Sequence, residues 1–120
     1  MKSIYPLFLF IAVALLSACS PHMVSGVWKP TQDNEYGISK LVVAFDGKAE
    51  FVTTKLDNIN WHCFWSATAD RTADLECTPS NDTSKEESFK LNINAEGLAE
   101  LSHKLKLVAT FKLVNENPVL

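Results

Sequence analysis

The chain has no excess of positive charge. Its 120 residues include 11 lysines and arginines against 14 aspartates and glutamates, which gives a formal net charge of −3. A nucleic-acid-binding domain needs a basic footprint, and a surface drawn to anionic lipid by charge needs a basic cluster. The lysines here are spread along the sequence with no block. The composition therefore excludes nucleic acid as an expected partner.

Long apolar runs are also absent. The longest, from Tyr5 to Leu16, covers 12 positions, whereas a helix that spans a membrane needs about 20 apolar residues. The run follows Lys2 and ends in small residues directly before Cys19. A charged start, a short apolar middle and a small-residue end are typical of a secretory signal peptide.

The residues that end this segment, Leu16-Ser17-Ala18-Cys19, resemble the lipobox of bacterial lipoproteins, whose signal peptidase cuts directly before the cysteine. The resemblance implies that residues 1–18 are a signal peptide and that Cys19 becomes a lipidated N-terminus. It also implies a protein of the bacterial cell envelope, anchored to a membrane by lipid. An aspartate after the cysteine retains such proteins at the inner membrane of enteric bacteria, so Ser20 favours the outer membrane.

Removal of residues 1–18 leaves 102 residues, enough for one domain. We expect residues 19–25 to form a lipidated tether, 26–114 an antiparallel β domain and 115–120 a flexible tail. Two cysteines remain, Cys63 and Cys77, and in an oxidising compartment they most simply form a disulfide. Closing that loop of about 15 residues stabilises a domain by roughly 3 kcal/mol. Neither a redox nor a zinc motif of the Cys-x-x-Cys kind is present.

Apolar residues recur mostly with a period of two, as in half-buried strands. Asp46-Gly47 predicts a hairpin, and the turn at 94–97 places Gly97 where a positive φ is needed. Seven short strands joined mostly by tight turns predict an all-β antiparallel meander that closes into a small barrel, with a β-sandwich as the alternative. A helix is the rival only for residues 95–106. The last strand, as predicted, turns Leu105, Leu107, Ala109, Phe111 and Leu113 to one face.

One hairpin has a predicted register. If residues 59–68 return across a turn at 69–71, Cys63 opposes Cys77, Trp65 opposes Leu75, and Ala67 opposes Ala73. This register places the disulfide and the apolar side chains on the same face. A shift of one residue would turn the whole apolar set outward.

Motifs for catalysis are missing. The sequence has no Gly-x-Ser-x-Gly, and His62 and Cys63, adjacent on a strand, point to opposite faces and cannot share a metal. We expect His22 to lie in the tether and to belong to no catalytic or metal site. We expect Asp74 and Glu76 to form an acidic, solvent-facing pair. We therefore predict no enzyme, no metal and no cofactor.

The aromatic residues leave two readings open. Gly26-Val27-Trp28 resembles the Gly-x-Trp that opens the first strand of lipocalins, where the indole closes one end of the barrel. Trp28, Trp61 and Trp65 are accordingly either core residues or the wall of a ligand cavity. On the predicted register Phe64 faces outward beside His62, where an exposed aromatic is suited to anchor a partner.

Two main functional hypotheses follow. The first is a lipid-anchored module that binds another envelope protein, as small inhibitor, immunity and exclusion lipoproteins do; it predicts a filled interior and an apolar outer patch near Phe64. The second is a lipocalin-like carrier, which predicts an empty, tryptophan-lined interior. A hydrolase is a third and needs one cleft that collects His62, Asp74 and Glu76. We favour the first.

Overall fold

The computed structural model describes residues 22–54 and 59–118. Eight antiparallel strands follow one another: β1 (Gly26–Pro30), β2 (Ile38–Val43), β3 (Lys48–Thr53), β4 (Trp61–Ala69), β5 (Thr72–Pro79), β6 (Glu87–Ile93), β7 (Ala99–His103) and β8 (Lys106–Asn115). Each strand pairs with the next, and β1 also pairs with β8, so the sheet closes into a barrel. The fold is the predicted all-β barrel.

The predicted number of seven strands is one too few, because every segment beside a predicted turn forms a strand of its own. Residues 95–106, where a helix was the rival, contain β7 between two turns. The predicted turns have the expected backbone: Gly47 has a φ of 87° and Gly97 a φ of 83°. The Asn94 side chain accepts hydrogen bonds from the backbone amides of Glu96 and Leu98, which fixes the second turn.

The register of the β4–β5 hairpin is confirmed: Cys63 opposes Cys77, Trp65 opposes Leu75, and Ala67 opposes Ala73. The cysteines form the predicted disulfide. Ala67 is nevertheless exposed rather than buried. The pairing of β3 with β4 runs only as far as the pair of Lys48 with Phe64, so the tip of the hairpin extends past β3.

The alternation predicted for β8 is wrong at its start. Leu101 opposes Ala109 but Ser102 opposes Leu107, so Val108 is an extra residue in a β-bulge. A bulge reverses the facing of the residues beyond it. Ala109 and Phe111 are therefore buried as predicted, whereas Leu105 and Leu107 are exposed.

The barrel has two ends that the connections distinguish. The N-terminal end is where β1 begins, and it carries the short turns at 44–47, 70–71 and 94–98. The loop end carries the connections at 31–37, 54–60 and 80–86 and the turn at 104–105. Between the two ends, large side chains that are fully buried fill the interior: Trp28, Phe51, Phe111, Leu41, Leu75, Leu91 and Leu101.

Residues 22–25, the described part of the predicted tether, pack against the barrel. Val24 is fully buried, and its carbonyl accepts a hydrogen bond of 2.9 Å from the indole Nε1 of Trp28. His22, which we expected to belong to no site, is nevertheless fixed to the barrel: its Nε2 lies 2.7 Å from the carbonyl oxygen of Ala69, and its Nδ1 accepts a hydrogen bond from the Val24 amide. The signal peptide, Cys19 and the first part of the tether lie outside the described residues.

Gly26 allows β1 to close the barrel against β8. Its φ is 141°, and a Cβ on it would lie 2.9 Å from the carbonyl oxygen of Asn115. A side chain at this position is therefore strained and also collides with the partner strand. This accounts for the glycine two residues before Trp28.

Candidate functional site

The three tryptophans do not line one cavity. Trp28 is buried at the N-terminal end of the interior, where it contacts Val24. Trp65 is half-buried, donates a hydrogen bond to the carbonyl of Ala44 and lies 5.8 Å from the His22 ring between centroids. Trp61 lies at the start of β4, toward the loop end. The indoles serve as packing groups at different levels of the barrel.

An aromatic cluster surrounds Trp61 at the loop end. Its rings meet at centroid distances of 5.9 Å for Tyr36 with Phe89, 6.1 Å for Trp61 with Phe89 and 5.3 Å for Phe51 with Phe89. These contacts are nearly edge-to-face, the arrangement that ring quadrupoles favour. The cluster closes this side of the interior by direct ring contact. The sequence did not reveal it, because Tyr36 lies in the 31–37 connection, outside the apolar alternation that marks the strands.

Two acid–base groups lie beside this cluster. His103 Nε2 is 3.8 Å from Glu87 Oε2, and that oxygen is buried without a hydrogen-bond partner among the residues that the structure describes. Burial raises the pKa of Tyr36, and the nearby carboxylates of Glu87 and Glu35 raise it further. These contacts bring together residues from the 31–37 loop, β6 and β7, and so fasten the loop to the barrel.

Phe64 faces outward, as predicted, and 71% of it is exposed. Its cross-strand neighbours are Lys48 on one side and Glu76 on the other. His62, two residues earlier, is also exposed and lies 3.7 Å from Glu50 between Nδ1 and Oε2. The prediction of an apolar patch around Phe64 is therefore wrong. Phe64 is a single aromatic residue among charged groups on this side of the sheet.

A groove lined by both polar and apolar side chains runs along the outer wall next to Phe64. We call it the outer groove; its volume is about 280 Å³, and Leu105 lies at one edge. Within it, Ser88 Oγ donates a hydrogen bond of 2.6 Å to Glu76 Oε2. Its polar lining comes from β5, β6, β7 and the turn that follows, and consists of Asp74, Glu76, Ser88, Lys90, Ser102 and Lys104.

Leu105 is the most exposed apolar residue of the described chain and occupies an uncommon backbone conformation. Its side chain is fully exposed, and both Lys104 and Leu105 have positive φ values, 51° and 67°. A two-residue hairpin turn of this kind normally contains Asn-Gly or Asp-Gly, because other side chains are strained there. Sequence reasoning missed this residue, since no turn residue marks the position.

The predicted hydrolase cleft is only partly assembled. Asp74 and Glu76 share the outer groove, while His62 lies on β4 beside Glu50. Within residues 22–54 and 59–118, no three histidine, cysteine or acidic side chains are grouped as a metal site. The same residues contain no helix long and apolar enough to cross a membrane.

Comparison of the chain with protein-family models, with curated proteins and with solved structures found no match.

Proposed function

We propose that this protein is a lipid-anchored component of the bacterial cell envelope that binds another protein through the outer wall of its barrel. The lipobox-like Leu16-Ser17-Ala18-Cys19 supports the anchor, in which Cys19 carries the lipid and the outer membrane is the favoured location. Each buried methylene of the acyl chains contributes about 0.8 kcal/mol to membrane affinity, so two or three chains hold the domain firmly.

The filled interior favours binding on the outside. Trp28, Phe51 and Phe111 occupy the space that a lipocalin-like carrier would leave for a ligand. A carrier of a small apolar molecule was the alternative left open by the sequence, and the packed aromatic cluster at the loop end gives it no support.

The exposure of Leu105 carries the proposal. A leucine in a left-handed turn costs free energy through backbone strain, and a fully exposed side chain gains nothing from burial to offset that cost. Such strain persists where a site needs it. Leu105 and the neighbouring exposed Leu107 lie at one side of the outer groove. Phe64 lies at its other side, paired with Glu76 across the two strands.

This arrangement has the composition of a protein-binding surface. A few anchor residues supply most of the affinity in such interfaces, and surrounding charged groups fix the orientation of the partner. The outer groove offers both signs of charge, with Asp74 and Glu76 facing Lys90 and Lys104. The proposed partner is a protein whose surface presents pockets for Phe64 and Leu105 and a mixed-charge ridge between them.

Affinity capture from detergent-solubilised envelopes tests this function with the lipidated chain as bait. We expect one protein to be recovered in stoichiometric amount by the natural sequence and to be lost when Phe64→Ser and Leu105→Ser are combined. Met23→Ser is the matched control, because it also removes an exposed apolar side chain but at the N-terminal end. Recovery that is equal for all three baits, or recovery of abundant porins alone, would contradict the proposal.

A further inference from the structure

Exposed apolar side chains surround the point where the chain enters the barrel. Met23, Phe45 and Leu113 are 50%, 56% and 40% exposed. They come from the entering segment, the β2–β3 turn and the end of β8, yet they line one groove of about 240 Å³ together with His22 and Glu116. We call these three side chains the apolar rim. Three separate parts of the chain thus converge to place apolar surface at one end of the barrel.

The entering segment is fixed to the barrel rather than free. His22 makes hydrogen bonds to the Ala69 carbonyl and the Val24 amide, and its ring lies beside that of Trp65. His22 follows Cys19 by three positions, and three positions of fully extended chain span at most about 11 Å. A lipid on Cys19 therefore holds the N-terminal end close to the bilayer surface.

We infer that the apolar rim rests in the interfacial layer of the same bilayer that holds the lipid of Cys19. This inference depends on the lipid anchor of the proposed function. Amphipathic helices bury their apolar faces in this layer to a depth of about 5–10 Å, and a similar depth would cover Met23, Phe45 and Leu113. Because Cys19 is so close to the barrel along the chain, the apolar rim contacts the bilayer, and no long tether holds the domain away from it.

A second feature of the groove bears on the kind of lipid. Glu116 in its lining makes anionic headgroups unfavourable, so the contact is with neutral lipid and is driven by apolar area.

Nitroxide spin labels on the acylated, processed protein test the inference directly. Acylation blocks the thiol of Cys19 and the disulfide blocks Cys63 and Cys77, so one introduced cysteine is the sole free thiol. Labels are placed at Phe45→Cys and Leu113→Cys, with Leu105→Cys and Leu107→Cys as controls at the loop end. The protein is reconstituted in vesicles of phosphatidylcholine and phosphatidylethanolamine. Accessibility to oxygen, which dissolves in lipid, is compared with accessibility to a water-soluble nickel chelate.

We expect an oxygen-to-nickel accessibility ratio several times higher at the two rim sites than at the two loop-end sites. Equal ratios at all four sites would overturn the inference, because the domain would then stand clear of the bilayer. Spin–spin broadening confined to the rim labels would also overturn it by showing that a second copy covers the rim. A product whose mass shows no lipid on Cys19 removes the anchor itself, and mass spectrometry distinguishes that failure from a raised domain.

Discussion

The two ends of the barrel differ in how they are closed. At the N-terminal end, connections of two to five residues leave little loop, and the segment from His22 to Ser25 seals the barrel through Val24 and Trp28. At the loop end, three of the four connections have seven residues, and an aromatic cluster around Phe89 closes the interior. One end is closed by the entering segment, and the other by a loop residue, Tyr36, that packs inward.

This difference suggests a division of roles between the N-terminal end, which contributes to stability, and the rest of the surface, which is available for recognition. Buried contacts of the entering chain concentrate at the N-terminal end, where a membrane anchor would transmit force. The other end carries the longer connections and the exposed turn at 104–105, and binding surfaces commonly lie on the connections of a rigid scaffold. The strained turn at Lys104 and Leu105 belongs to this second end.

The largest expected effect on stability comes from replacing tryptophans at the two ends of the barrel, the buried Trp28 and the half-buried Trp61. We expect Trp28→Ala to lower the free energy of unfolding by about 3–5 kcal/mol, because it leaves a cavity and a buried Val24 carbonyl without its donor. Trp61→Ala, at the half-buried position, should cost about 1–2 kcal/mol. Urea denaturation followed by circular dichroism measures both. Equal losses would show that the two ends contribute alike to stability.

The next effect concerns closure of β1 against β8. We expect Gly26→Ala to destabilise by about 1–3 kcal/mol, since the new methyl group is strained and meets the Asn115 carbonyl. Gly97→Ala is the matched control: its φ is also positive, but no atom lies within 4 Å of the added Cβ. The difference between the two variants in thermal unfolding isolates the collision. No difference would mean that β1 does not approach β8 as closely as described.

Much of this architecture could be predicted from local chemistry. The hairpin register followed from Cys63 and Cys77 together with the apolar alternation, and the turns from Gly47 and Gly97. The bulge at Val108 could not, since one extra residue leaves no local sign in an apolar strand. The packing of His22 on Ala69, 47 residues apart, and the inward position of Tyr36 also depend on contacts that close only in the folded barrel.

At the outer groove, too, one part could be predicted from the sequence and another could not. The outward position of Phe64 followed from the predicted register of the β4–β5 hairpin, whereas Leu105 and Leu107 were predicted on the buried face of β8. Exposure of Leu105 depends on where the bulge falls, and the sequence Lys104-Leu105 has none of the residues that usually mark a two-residue turn.

A smaller effect, of opposite sign, is expected at the loop end. Lys104→Asn combined with Leu105→Gly relieves the left-handed strain, so we expect stability to rise by about 1 kcal/mol. The same variant should lose capture of the partner, because the anchor side chain is gone. Chemical denaturation and affinity capture are measured on one preparation. A variant that is less stable than the natural chain would contradict the strain assigned to this turn.

The smallest expected effect is a pH dependence at the aromatic cluster. A raised pKa means that Tyr36 stabilises the fold fully below its ordinary value of 10.0 and loses that contribution as the pH rises through the raised value. Tyr36→Phe should therefore flatten the fall of stability in the alkaline range. Tyr36 is the sole tyrosine after residue 18, so tyrosinate absorbance of the processed chain reads its titration directly. A midpoint at or below the ordinary value would contradict its burial.

Site-specific photo-crosslinking in living cells tests the central claim, that recognition takes place on the outer wall of the barrel and not on the apolar rim. A photoreactive phenylalanine analogue replaces Phe64, Leu105 or Met23 in turn. We predict that the first two positions give adducts with the same protein and that Met23 gives adducts with lipid but not with that protein. Adducts with the protein from Met23, and none from Phe64 or Leu105, would contradict the account.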